Sequence, residues 1–272
     1  MKICSKEQGI DVMRLLVFVL VTSTILAHTV AKSSDAGPMQ YPKAIPAGEL
    51  KWNAGLALGK VPKDIVEEMD TFRWPLLELD AFIGLPKNFL VEATLNTQVI
   101  TNHIRIGPKW VVNSQTVADV LDSQPSQDPN SPLASVDGMP LHRISAMFGI
   151  DGAFMFGFMR SGAFDNTVNA VFLYPNASLG YRFENVTITA KGELNFLMSY
   201  KLTAESVVTS SRNAMFNGGS IALYLEQPLW KDQYLQLGFK QNFVQFYYPS
   251  WLLFPTFDRY YWVPEFVIGF RL

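Results

Sequence analysis

Few residues in this chain have the chemistry of a reacting group. His103 is one of three histidines and falls in a stretch of strand-like alternation, with Asp165, Asp258, Ser210 and Ser211 expected in loops at the same height. A histidine that passes a proton to or from a carboxylate, or that activates a serine hydroxyl, is the minimum for hydrolysis. A lone histidine more often belongs to a hydrogen-bonded network, and its isolation favours that reading. No Gly-x-Ser-x-Gly, Walker, His-Glu-x-x-His or Cys-x-x-Cys pattern occurs, so neither a metal nor a nucleotide cofactor is expected.

The larger set of polar chemistry is ionic. Lys51, Arg105, Lys109, Arg182, Lys191, Lys240 and Arg271 stand against Glu78, Asp80, Glu92, Asp151, Glu193, Glu226 and Glu265. Each lies on the polar side of an alternating stretch, so all of them are expected to face the same compartment. Equal numbers of the two signs point to mutual pairing. A third candidate is the aromatic run around Tyr247, Tyr248, Trp251 and Phe254, which suits either a hydrophobic ligand or, as the preferred reading, a loop folded inward beside an interfacial aromatic belt.

The elements that must position these residues are strands. From Tyr260 every second residue is apolar or aromatic: Tyr260, Trp262, Pro264, Phe266, Ile268, Phe270 and Leu272. The intervening set holds Glu265, Gly269 and Arg271, which is a two-residue period. Large aromatics on one face with mixed charge on the other is the pattern of lipid outside and a wet lumen inside. The same polarity recurs along 50–58, 77–83, 89–99, 104–110, 145–158, 169–183, 186–196, 221–226 and 235–243, with 203–217 read as a polar loop and Asn169 as inward. The expected fold is an all-β, transmembrane, antiparallel up-and-down β-barrel of about ten strands. A barrel of about that size is only slightly wider than one its side chains fill completely.

Composition agrees. Of 272 residues, 49% are hydrophobic, 13% aromatic and only 17% charged, with a mean hydropathy of +0.12, yet beyond the N-terminal region there is no apolar run of about 18 residues, the length a helical span requires. A net charge of -2 argues against a nucleic-acid binder. Residues 1–31 read as a secretory signal peptide, with Lys2, Lys6 and Arg14 ahead of the apolar run 15–27 and cleavage before Lys32. Translation from Met13 instead of Met1 would give a tidier signal, and the single cysteine, Cys4, would leave with it. Residues 32–49, rich in Gly and Pro, read as an extended periplasmic lead-in, and 50–272 as the barrel. An even strand number puts both ends of the barrel on the periplasmic side, with turns at Pro86, Glu184 and Pro228 there and longer loops outside. By the same count the long polar connection 115–143 is periplasmic. Pro175 and Pro264 stand against a closed barrel, in which no edge hides a missing donor; a local bulge toward the outer rim accommodates them.

At 174–183 (Tyr-Pro-Asn-Ala-Ser-Leu-Gly-Tyr-Arg-Phe), 225–230 (Leu-Glu-Gln-Pro-Leu-Trp) and 256–260 (Thr-Phe-Asp-Arg-Tyr) the chain resembles a group of bacterial outer-membrane barrel proteins. The likeness covers the C-terminal half well and the first four strands more loosely. Its last strand resembles the terminal strand that the barrel-assembly machinery recognises, with Leu272 where an aromatic residue is usual. The resemblance implies a barrel in the bacterial outer membrane, with lipid, periplasmic chaperones and the assembly machinery as partners. It brings no activity and no functional residues. Ten-stranded outer-membrane proteases use His with Asp at the rim and outer-membrane lipid hydrolases use Ser and His, which are the forms a reactive His103 would take. The function expected is a barrel with a largely filled polar lumen, structural or passing small solutes narrowly.

Overall fold

A computed structural model describes residues 38–60, 73–98, 100–112, 144–161, 164–183, 186–204, 207–229, 233–251, 257 and 259–271. The expected signal peptide, the polar connection 115–143, Phe254 and Asp258 lie outside the described residues. Ten strands follow in order: β1 (Leu50–Lys60), β2 (Arg73–Gly84), β3 (Phe89–Thr97), β4 (Thr101–Val112), β5 (Ile144–Ser161), β6 (Phe164–Phe183), β7 (Val186–Ala204), β8 (Val207–Pro228), β9 (Tyr234–Val244) and β10 (Tyr261–Arg271). Every strand pairs antiparallel with its neighbour in sequence, and β1 pairs with β10, so the sheet closes into a barrel.

Alternation explains the wall. Along β4 buried and exposed residues alternate from Thr101 to Val111, because successive side chains on a strand point to opposite faces. Ile104, Ile106 and Trp110 point out while His103, Arg105 and Lys109 point in. On β10 the outward set is Trp262, Phe266, Ile268 and Phe270. The outside of the barrel is therefore a band of large apolar side chains, and the inside carries the charges.

The wall is uneven in height. β5 to β8 run 18 to 22 residues, whereas the other strands run 9 to 12. The excess lies at the far end, opposite the end where β1 begins and β10 finishes. This corrects the loop expected over 203–217: most of it is the upper part of the β7–β8 hairpin, where Tyr200 pairs with Arg212 and Leu202 with Ser210. Its residues are polar on both sides, so a two-residue period could not show there. Asn169 is also corrected, since it is exposed and lies on the outward face with Val171.

β8 parts from β9 at Gly218. The β8–β9 ladder covers only Gly218–Pro228, and Gly218 has φ +125, a conformation L side chains rarely adopt. Beside it Asn217 donates through Nδ2 to the Phe246 carbonyl at 3.0 Å and accepts from the Phe246 amide at 2.8 Å. Asn217 thus captures the chain as it leaves β9, and the loop that follows enters the lumen. The two awkward prolines fit this wall. Pro264 faces Gln241 of β9 and lies just past the last β1–β10 pair, Gly59 with Glu265. At Pro175 the β6–β7 ladder has a gap between Leu173–Phe196 and Asn176–Glu193 in unchanged register, and the register shift lies farther along, at Val171/Phe172.

Candidate functional site

The lumen is occupied in three levels. At the near end, residues 38–49 lie in the barrel mouth. Met39 and Ile45 pack with Phe82, Leu90, Val111 and Met147 of the wall. Glu226, 1% exposed, accepts the backbone amide of Met39 at 2.7 Å and those of Gln40 and Tyr41 at 3.1 Å. Three amides converging on one carboxylate satisfy a charge that would be costly to bury alone. Lys51, Arg182 and Arg271 are buried in this half of the barrel.

The middle level is ionic. Asp151, fully buried, is bound by the Arg105 guanidinium, whose Nε donates at 2.6 Å. It also takes Lys109 Nζ at 2.6 Å and Asn176 Nδ2 at 2.8 Å. Arg105 reaches on to Glu193 at 2.6 Å. Lys109 reaches Glu92 at 2.9 Å, and Lys191 bridges Glu92 at 3.2 Å and Glu193 at 3.5 Å. Ser220 donates to Glu193 at 3.1 Å and Lys240 lies 3.7 Å from it. The web therefore draws on every strand from β3 to β9. Asp80 stands beside it, bound to Thr94 at 2.9 Å. Glu265 is held apart, by Asn242 at 2.8 Å and Tyr247 Oη at 2.7 Å. Glu78 is half-buried on β2.

The far level is apolar. Met155, Val168, Ala170, Phe172, Leu197 and Tyr200 face inward and form one cluster with Phe246 and Trp251. The chain after β9 makes a short 3-10 turn, Tyr248–Ser250, inside the barrel. Tyr247 and Trp251 are buried, Trp251 to 1% exposure, and Trp251 Nε1 donates to Thr101 Oγ1 at 2.9 Å. Tyr248 stacks on His103 with ring centroids 4.3 Å apart and planes at 15°. A polar cavity of about 40 Å³ separates this level from the ionic web, bordered by His103, Arg105, Lys240 and Tyr248 among others. That volume holds a water or two.

Among the described residues His103 meets rings. Its Nε2 lies 3.3 Å from Tyr174 Oη, and it meets the Phe172 and Tyr174 rings in T-shaped contacts. Asp165 is an exposed partner of Arg160 at 3.0 Å near the β5–β6 tip, and Ser210 and Ser211 lie on the upper part of β8. Among the described residues no serine or carboxylate is hydrogen-bonded to His103, and no group of His, Cys, Asp and Glu is placed to hold a metal. The inward apolar residues were the ones missed from the sequence. Counting by twos from Asp151 gives Ala153 and Met155, and counting back from Asn176 gives Tyr174, Phe172, Ala170 and Val168, but apolar residues on both faces conceal the period.

No family model and no curated protein matches the chain. Among solved structures, the attachment invasion locus protein Ail of Yersinia pestis is similar at 8% identity, covering 83% of this chain and 97% of that one, with a TM-score of 0.38. Neisserial surface protein A is similar at 9% identity, with 82% and 96% covered and a TM-score of 0.36. The outer membrane protease OmpT of Escherichia coli is similar at 10% identity, with 82% and 91% covered and a TM-score of 0.40. These are likenesses in outline; the barrel itself is read from its own strand pairing.

Proposed function

We propose that this chain is a bacterial outer-membrane barrel whose lumen is closed by its own side chains, so that it serves the membrane as a sealed wall element and not as an open porin. The observation that carries this reading is the Arg105–Asp151–Lys109–Glu92–Lys191–Glu193 web. An open pore would leave those charges facing water, where each pair contributes little. Here they are buried and matched, the arrangement in which removing one partner strands another.

The outer face supports the membrane setting. Ile221 is 72% exposed, Trp262 61% and Phe183 57%, and they belong to a band of large apolar residues drawn from every strand. Water-soluble monomers rarely expose contiguous apolar patches beyond a few hundred Å². A closed barrel satisfies its backbone within the wall, which is what hydrocarbon demands.

The reading is tested by single-tryptophan variants refolded into vesicles with brominated acyl chains. Trp110 and Trp262 point outward and are expected to be strongly quenched, whereas Trp251, inside the lumen, is expected to keep most of its fluorescence. The vesicles are expected to retain an entrapped small solute. Equal quenching of all three, or rapid solute release, would contradict the proposal.

A further inference from the structure

The far half of the lumen is built like a receptacle that the barrel's own loop fills. Met155, Val168, Phe172, Leu197 and Tyr200 face inward with 1% exposure or less. Such side chains have no lipid to face and need an apolar filler. The filler is Phe246 and Trp251, which belong to the loop after β9 and not to the wall.

The wall is shaped to that filler. Thr101 and Gly157 face each other across β4 and β5. Thr101 Oγ1 takes the indole N–H at 2.9 Å, and a Cβ at Gly157 would stand 2.7 Å from Nε1 and 2.9 Å from Cε2 of Trp251. Any other residue at 157 would collide with the indole. Next to this socket the His103 ring offers a flat face, which Tyr248 covers. His103 is 2% exposed and borders the small polar cavity below, and its Nδ1 has no hydrogen-bond partner among the described residues. Flat faces, a hydrogen-bonding hydroxyl and an unsatisfied ring nitrogen together specify what fits.

We infer that the far lumen is a binding site for a planar aromatic molecule bearing a hydrogen-bonding group, of the indole or phenol class, and that Trp251 and Tyr248 occupy this site in the closed barrel. The ligand takes the place of the Trp251 and Tyr248 side chains. The inference rests on the reading of a closed lumen. The ionic web lies below the site, so binding displaces the loop without opening a pore.

The test is titration of the folded, detergent-solubilised protein with indole, with folding verified by heat-dependent gel mobility. Wild type binds saturably but against its own loop, because affinity is reduced by the fraction of molecules whose site is vacant. Trp251→Ala removes the occupant and is expected to bind indole about tenfold more tightly or better. Gly157→Val fills the socket and is expected to weaken binding at least about tenfold, with or without Trp251→Ala. Thr101→Val keeps the wall's shape and gives a smaller loss if the glycine variant does not fold. In a variant whose sole tryptophan is Trp251, adding phenol should raise its quenching by acrylamide. Absence of saturable binding to wild type up to the solubility of indole overturns the inference, as does binding indifferent to both Gly157→Val and Thr101→Val. Either failure leaves the conductance of the barrel, and so the sealed-lumen reading, a separate measurement.

Discussion

Asp151 is the side chain on which the middle of the barrel depends. It is fully buried and takes Arg105, Lys109 and Asn176 at once. Asp151→Asn keeps its shape but leaves two buried cations short of a counter-charge, which is expected to cost about 3–5 kcal/mol, read as a fall in the unfolding temperature in detergent. Ser220→Ala is the contrast, since it removes one hydrogen bond from a carboxylate that keeps its cations, and a smaller cost of about 1.5 kcal/mol, the low end for a bond to a charged group, is expected. Equal losses from the two would contradict the web's central role. His103→Phe keeps the ring contacts to Tyr248, Phe172 and Tyr174, so a folded barrel with a loss of about 1 kcal/mol is expected. Inward charges such as Arg105 and Lys109 were legible from the sequence because polar residues among apolar ones reveal strand parity. Which carboxylate each cation meets was not legible, because that depends on neighbours brought across the lumen by closure.

Among the elements, the segment 38–49 and the loop after β9 are the parts least visible in sequence. Both lack period, and their place follows from single residues of β8, Glu226 for the first and Asn217 for the second. Glu226→Gln loses the charge that three amides share, with each charge-assisted bond worth about 1.5–3 kcal/mol. The segment is then expected to leave the mouth more often, so that trypsin cuts after Lys43 about tenfold faster or more, while the barrel keeps its folded gel mobility. An unchanged cutting rate would show that packing of Met39 and Ile45 alone holds it. The ten strands themselves were readable, down to the outward faces of β1, β4 and β10 and of β7 up to Leu197, because outward and inward residues alternate there; at Met198–Ser199 of β7 the alternation breaks. The period was hardest to read where the two faces are alike: mostly polar on both faces from Thr203 to Asn213, and apolar on both faces over Ala153–Met159 and Ala170–Leu173.

For the whole molecule, closure is redundant. The N-terminal segment fills the near mouth, the ionic web the waist and the loop the far half, so removing one level leaves two. Deleting residues 38–49 is accordingly expected to leave the barrel non-conducting. Only combined loss, for example that deletion with Asp151→Ala and Trp251→Ala, is expected to admit ions. The most direct test of the sealed lumen is current across planar bilayers containing the intact protein. The structure calls for no stepwise current above the leak of the bare membrane at either polarity; sustained, ion-selective single-channel steps from the wild-type barrel would contradict it.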